Sequence, residues 1–130
     1  MRRLTAASIV LCLLSACGGP QEPPAPPYRK VSEVVRYPEF IPGLGTLYVQ
    51  PNTMPYGPYM GYDRRGRLVN MVYMVPPQAM DQQPRLSIPG TPLPVNHVVL
   101  HTTKGHPGVE EAHYHITMWF ISPDEVAQVR

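Results

Sequence analysis

The chain has very little cysteine. Of its 130 residues only two are cysteines, Cys12 and Cys17, and both lie near the N-terminus. The chain from residue 18 onwards therefore has no thiol, and it can form no disulfide even in a compartment that permits one. Any metal in this part of the chain must be held by nitrogen, oxygen or thioether ligands.

Without Arg2 and Arg3, the chain has no excess of positive or negative charge. The full sequence has 11 Lys and Arg residues and 9 Asp and Glu residues, and removal of Arg2 and Arg3 leaves nine of each. Nucleic-acid-binding domains concentrate basic residues on one face, so no nucleic acid is expected as a partner. No serine or cysteine lies in a clear nucleophile motif, which argues against triad hydrolysis.

The N-terminus is typical of an exported protein. Arg2 and Arg3 precede the mostly apolar residues 4–14, which are too few to span a membrane as a helix of about 20 residues. This stretch ends in Leu14-Ser15-Ala16-Cys17, a sequence that resembles the lipobox of bacterial lipoproteins.

The lipobox resemblance implies that residues 1–16 are a signal peptide and that Cys17 carries lipid, palmitate included. Gly18 stands where an aspartate could retain the protein at the inner membrane. We therefore expect a cell-envelope lipoprotein, attached through its lipid to the outer membrane and facing the periplasm.

Proline separates this anchor from the rest of the chain. Five of the ten residues 18–27 are proline, which favours a semi-extended spacer that rises about 3.1 Å per residue where polyproline II forms. Residues 17–27 are therefore predicted to be a lipidated tether. Residues 28–130 have the length of one small domain with a modest core.

Short β-rich runs separated by turn residues predict the fold class. Residues 45–49 and, more weakly, residues 57–62 read as strands, and a turn at residues 63–66 leads into a further strand at residues 67–75. Residues 95–102 and 110–121 read as two more strands. Ser122 followed by proline, with glutamate three positions on, predicts a C-terminal helix at about residues 123–129. The pattern indicates a mainly β domain, a small antiparallel barrel or sandwich with one or two short helices.

All five histidines of the chain lie within nineteen positions near its C-terminal end. They are His97, His101, His106, His113 and His115. The period of two along a strand places Glu111, His113, His115 and Thr117 on one face of the last strand. The opposite face carries Tyr114, Ile116, Met118 and Phe120, and its apolar character predicts that it is the core face.

Antiparallel pairing of the last two predicted strands brings the histidines together. The predicted turn places His101 near His113, and His97 near Thr117. The resulting nitrogen-rich cluster consists of His101, His113 and His115, with His97, His106, Glu111 or Glu110 completing it. Such ligands suit zinc, copper or ferrous iron, and three of them leave a position open for water or a small ligand.

Two other interpretations of these residues remain open. The histidines can instead be hydrogen-bonding residues at strand edges and turns, some of them packed against Trp119. The methionines of the predicted strands more often fill irregular β cores than bind a soft metal.

Several segments resemble a family of small exported bacterial proteins known as a domain of unknown function. The segments are GTLYV, GYDRRGRLVNMVYMVP, PVNHV, Gly105-His106-Pro107, and Ala112-His113-Tyr114-His115 running into Phe120-Ile121-Ser122. The resemblance covers about residues 42–122 and implies a compact β-rich fold and self-association. The family's late strand tends to carry histidine or acidic residues at alternate positions, as at His113 and His115 here. Thr117 departs from that pattern, because a histidine is expected at its position.

A more distant likeness is to the chemistry of cupins, which also place His-x-His on a strand. The cupin motif has a glutamate four or five residues after the second histidine, and here those positions hold Trp119 and Phe120. The likeness is therefore one of chemistry and not of motif.

Three functions follow from these patterns. The first is an envelope lipoprotein that binds a divalent transition metal or a small ligand at the histidine-rich hairpin. The second is a structural or assembly lipoprotein that self-associates and whose histidines are incidental. The third is a metal-dependent enzyme, which requires an open coordination position in a pocket, and the sequence favours catalysis less than binding.

Overall fold

In the part of the chain that the structure describes, the fold is one antiparallel sheet with three short helices. A computed structural model describes residues 20–82, 85 and 87–130. The predicted signal peptide, residues 1–16, and the predicted lipidation site Cys17 lie outside the described residues. The strands are β1 (Arg29–Lys30), β2 (Thr46–Val49), β3 (Tyr59–Tyr62), β4 (Leu68–Val75), β5 (His97–Thr103) and β6 (His113–Trp119). The helices are α1 (Val31–Val34), α2 (Pro77–Gln82) and α3 (Pro123–Val126), with a 3₁₀ turn at Pro51–Thr53.

The strands lie in the order β1-β2-β3-β4-β6-β5, and every neighbouring pair is antiparallel. The predicted mainly β class is confirmed. Strands β1 and β5 are the two edges, so the sheet is open. Among the described residues no helix has both the length and the apolar character needed to cross a membrane.

Both faces of the sheet carry buried apolar clusters. One face carries Val49, Tyr59, Val72 and Met74, which pack with Val31 of α1. The other face has its own clusters, formed by Tyr48, Met60, Tyr62 and Leu68 and by Met71, Tyr73 and Met118. This double coverage explains why β4 is buried along its whole length and shows no polar face.

The predicted core face of β6 is confirmed for Met118, which packs with Met71 and Tyr73, but the histidine face is the more completely buried one. His113 is only 1% exposed and His115 only 8% exposed, whereas Tyr114 on the opposite face is 40% exposed. The histidine face is buried because residues between Val31 and Leu44, together with the segment around Val109, pack against that side of the sheet. The alternation of apolar residues in β6 could not reveal this cover, since the cover comes from distant parts of the chain.

Strands β5 and β6 form the predicted pair with a different register. His101 lies opposite His115, and His97 lies opposite Trp119, which is two residues further along than the sequence suggested. The shift arises because the connection between the strands runs over residues 104–112 and is longer than the short turn that we predicted.

The two ends of the described chain also differ from expectation. Part of the predicted tether contacts the domain, since the Glu22 backbone N–H donates to the Gly66 carbonyl at 3.0 Å and the Tyr48 hydroxyl donates to the Glu22 carboxylate at 2.9 Å. At the other end, α3 is shorter than residues 123–129. Its start has the predicted capping box between Ser122 and Glu125.

Candidate metal centre

A tight turn before β6 brings His106 back towards the sheet. Gly105 and Gly108 both have positive φ, +109° and +90°, which glycine adopts far more readily than other residues. Across this turn the backbones of His106 and Val109 exchange two N–H···O bonds of 2.9 Å. The ring of Tyr37 contacts His106 edge to face at 5.6 Å between centroids. The turn therefore holds His106 over the end of β6.

Three imidazole nitrogens converge at this place. The Nε2 atoms of His113 and His115 are 2.9 Å apart, and the Nε2 atom of His106 lies 3.1 Å from that of His113 and 3.2 Å from that of His115. His113 and His115 come from the same face of β6, two residues apart, whereas His106 comes from the turn. These three residues form a group that could hold a metal ion, and we call it the histidine group.

The spacing of these nitrogens matches a shared metal ion. Zinc binds histidine nitrogen at about 2.0–2.1 Å, so two such nitrogens are about 2.9 Å apart at a right angle and about 3.3 Å apart at a tetrahedral angle. The three observed distances lie between these two values. One ion can therefore lie within bonding distance of all three Nε2 atoms.

Backbone carbonyls set the tautomers of two of the three rings. The Nδ1 atom of His113 lies 2.7 Å from the carbonyl of Glu111, and the Nδ1 atom of His106 lies 3.2 Å from the carbonyl of Pro107. Because a carbonyl oxygen only accepts, each Nδ1 donates its proton, and in the neutral ring Nε2 then carries a lone pair. This outer hydrogen bond is the arrangement that orients metal-binding histidines.

The lone pairs of the histidine group face one another. With protons on Nδ1 in His106 and His113, a proton on Nε2 of His115 can bridge to one neighbour, but it leaves the other close pair unsatisfied. A cation between the three rings accepts all three lone pairs at once. The arrangement therefore favours a bound metal over any neutral pattern of hydrogen bonds.

Burial favours the uncharged form of the His115 ring. Removal from water, followed by the nearby charges of His101, His113 and His106, lowers the pKa of His115 from 6.5 to about 4. Metal ions bind the neutral imidazole and compete with protons for it. His115 is therefore ready to bind a metal at neutral pH and below.

This lowered pKa predicts a pH dependence of the metal-free protein. The unfolded chain takes up a proton near pH 6.5, whereas folded His115 resists protonation until about pH 4. The free energy of unfolding is therefore expected to fall as the pH is lowered from 6.5 to 4, by up to about 3 kcal/mol. Urea unfolding in the presence of a chelator at several pH values measures this.

A matched pair of variants isolates the contribution of His115. H115Q should flatten the pH dependence between 6.5 and 4, and H97Q should leave it unchanged. If the free energy of unfolding changes with pH as steeply in H115Q as in the unaltered protein, the pH dependence belongs to other groups.

The structure separates the six predicted site residues into two sets. It brings together His106, His113 and His115, and it leaves His97, His101 and Glu111 outside the group. The ring of His97 stacks on Trp119 at 6.1 Å between centroids, and its Nδ1 lies 3.1 Å from the side-chain oxygen of Asn96. The two-residue change in register carries His97 away from the site.

His101 and Glu111 lie next to the histidine group without joining it. His101 is exposed on edge strand β5, and its ring lies 4.9 Å from that of His115. The side chain of Glu111 is exposed, and its backbone carbonyl contacts His113 instead. Sequence reasoning missed this role of the Glu111 and Pro107 backbones because every residue type has a carbonyl.

A small cavity lies beside the histidine group. It has a volume of about 30 Å³, and His106 and His115 form part of its wall. Most of the remaining wall is apolar and includes Val31, Met74 and Val109. The site thus has an apolar side next to two of its three rings.

Fold and site together define a class: a mainly β protein with a group of three histidines, two of them buried, that could hold a metal ion. The chain is 42% identical to the hypothetical protein TTHB210 from Thermus thermophilus, whose crystal structure superimposes with a TM-score of 0.62 over 71% of this chain and 91% of that chain. The chain belongs to the same family as TTHB210. A scan against models of protein families finds no match, and a search of curated proteins also finds none.

Proposed function

We propose that this protein is a cell-envelope lipoprotein that binds one divalent transition-metal ion at His106, His113 and His115. The observation that carries the metal site is the convergence of three Nε2 atoms within 2.9–3.2 Å of one another. The lipobox that ends in Cys17 supports the location in the envelope.

The chemistry of the ligands narrows the metal. The histidine group offers three imidazole nitrogens and, within the described residues, no carboxylate or thiolate. Magnesium and calcium prefer oxygen ligands, whereas zinc, copper and ferrous iron bind imidazole well. Three ligands also leave at least one coordination position open, as in zinc sites that bind water or substrate.

Metal content before and after removal of two ligands tests the proposal. The untagged protein, incubated with zinc and dialysed, is expected to hold about one ion per chain. The double variant H113A/H115A should lose nearly all of it, because a single remaining histidine cannot compete with water and buffer. Mass spectrometry of the metal measures both samples.

A second double variant provides the control. H97A/H101A also removes two histidines of the same segment, but both lie outside the histidine group, so its metal content should stay near that of the unaltered protein. Absence of metal from all three samples, or equal loss in both double variants, would refute the proposed site.

One observation favours a second candidate, an assembly lipoprotein that associates with itself. Edge strand β5 exposes apolar side chains, with Val98 57% and Leu100 64% exposed, and the backbone groups on its outer side have no neighbouring strand among the described residues. Exposed edges of this kind pair readily with another chain. A mass in sedimentation that rises with concentration, with and without metal, would support this candidate.

A further inference from the structure

We propose that the turn between β3 and β4, residues 63–66, lies against the membrane, with Arg64 and Arg65 facing the headgroups of anionic phospholipids. This inference rests on the proposed lipid attachment at Cys17. It adds the orientation of the domain on the membrane, the surface that contacts the lipid and the charge of that lipid.

The described chain is attached to this turn almost from its first residue. Gln21 and Arg67 form an antiparallel bridge, and the Glu22 backbone N–H donates to the Gly66 carbonyl at 3.0 Å. The Glu22 carboxylate also accepts a hydrogen bond of 2.9 Å from the Tyr48 hydroxyl of β2. Backbone and side-chain bonds therefore hold this part of the proline-rich segment at the turn.

The few residues between this attachment and Cys17 limit the distance from the turn to the bilayer. Gln21 follows Cys17 by four residues, and four residues span at most about 14 Å when fully extended. A free spacer over residues 18–27 would span about 30 Å where polyproline II forms. A lipid on Cys17 therefore keeps the turn close to the headgroups.

The tip of the turn carries positive charge. Arg64 and Arg65 are its two central residues, and the Gly66 N–H closes the turn by donating to the Asp63 carbonyl at 3.0 Å. Both arginines are exposed. Neither forms an ion pair with an Asp or Glu side chain among the described residues.

The neighbouring carboxylates are engaged by a different arginine. Arg67 pairs with Asp63 at 3.1 Å and with Glu125 at 2.9 Å. Arg64 instead lies over the ring of Phe40, with its guanidinium carbon 3.9 Å from the ring centroid. The two arginines at the tip therefore keep their charge available to an anionic partner.

Anionic lipid is the partner that this surface fits. Each basic side chain near an anionic membrane strengthens the attraction about fivefold, and the attraction falls off within a Debye length of about 10 Å. The short reach from Cys17 allows Arg64 and Arg65 to stay within this range. A spacer that was free along its whole length would not hold them there.

The same orientation directs the histidine group away from the bilayer. His115 lies opposite Met74, which follows Leu68, the first residue of β4, by six positions. Six residues of a strand span about 20 Å. The metal centre would then face the periplasm and not the lipid.

A single fluorescent label reports the orientation. The chain from residue 18 onwards has no cysteine, so Q128C and T102C each introduce one free thiol into the lipidated protein. Gln128 is exposed and lines the same cleft as Arg64 and Arg65. Thr102 is exposed on β5, opposite Tyr114 and near the far end of the sheet.

The full-length protein is purified from bacterial membranes, labelled and reconstituted into vesicles that carry a nitroxide quencher on their headgroups. We expect the label at residue 128 to be quenched several-fold more strongly than the label at residue 102. Quenching at residue 128 should also be stronger in vesicles of phosphatidylcholine with phosphatidylglycerol than in phosphatidylcholine alone, because only the mixture is anionic.

Two double substitutions test the role of charge. R64Q/R65Q removes both positive charges at the tip and should abolish the increase in quenching that phosphatidylglycerol causes. R36Q/K104Q also removes two exposed positive charges, but at the other end, where Tyr37 contacts His106. This control should leave the increase unchanged.

The outcomes separate this inference from the proposed function. Equal quenching at residues 128 and 102 in the lipidated protein, or an increase with phosphatidylglycerol that survives R64Q/R65Q, would overturn the inference and leave the lipoprotein assignment intact. An N-terminal peptide that carries no lipid by mass spectrometry would overturn both, while the metal content would still test the histidine group.

Discussion

Saturating zinc is expected to raise the free energy of unfolding by about 4 kcal/mol when free zinc reaches about 1,000 times its dissociation constant. In the metal-free fold the Nε2 atoms of His106 and His113, both unprotonated in the tautomers set by their Nδ1 hydrogen bonds, lie 3.1 Å apart in a partly buried site. An ion would remove the repulsion between their lone pairs and would bind the folded chain far more tightly than the unfolded chain, because the unfolded chain does not hold the three histidines together. Urea unfolding with zinc and with a chelator measures the difference.

The same double variants are the controls for this stabilisation. H113A/H115A should unfold at the same urea concentration with and without zinc, and H97A/H101A should respond to zinc as the unaltered protein does. A rise in stability of equal size in H113A/H115A would show that zinc acts elsewhere on the chain.

The second large effect is expected from G105A, which changes no ligand. A Cβ atom at residue 105 would overlap the backbone carbonyl of Glu110, and the φ of +109° is strained for any residue with a side chain. The turn must move, and His106 moves with it, while β5 and β6 retain their pairing. Zinc affinity, measured by competition with a chelator, should fall by about 100-fold.

Gly43 provides the matched control for this substitution. Its φ is also positive, +81°, but a Cβ atom there meets nothing within 4 Å. G43A should therefore introduce a similar backbone strain without displacing His106. Its zinc affinity should stay unchanged. Unchanged affinity in G105A would mean that His106 does not depend on this turn.

Local patterns in the sequence predicted strands β2 to β6 and the position of His113 and His115 on one face of β6. Both depend only on residues close in sequence, because alternate residues of a strand lie on the same face of the sheet. The capping box at Ser122 and Glu125 belongs to the same class, because its residues contact within one turn. Such features need no knowledge of tertiary structure.

The features that the sequence did not predict depend on distant contacts. The register of β5 and β6 follows from a longer connection, whose length cannot be read from strand propensity. The return of His106 depends on two positive φ angles, and the cover over the histidine face comes from residues near Val31 and Tyr37. Histidine spacing alone therefore did not indicate that His106, and not His101, lies with His113 and His115.

The division of the histidine group between a turn and a strand has a mechanical consequence. An ion held there would join the segment 104–112 to β6 as a cross-link, in a domain that has no thiols for a disulfide. Such a cross-link closes a short loop, and it would restrict the conformations of segment 104–112 far more than those of the strands. Loss of the ion would then release one segment of the surface while the strands stayed paired, so the metal would control the order of a single loop.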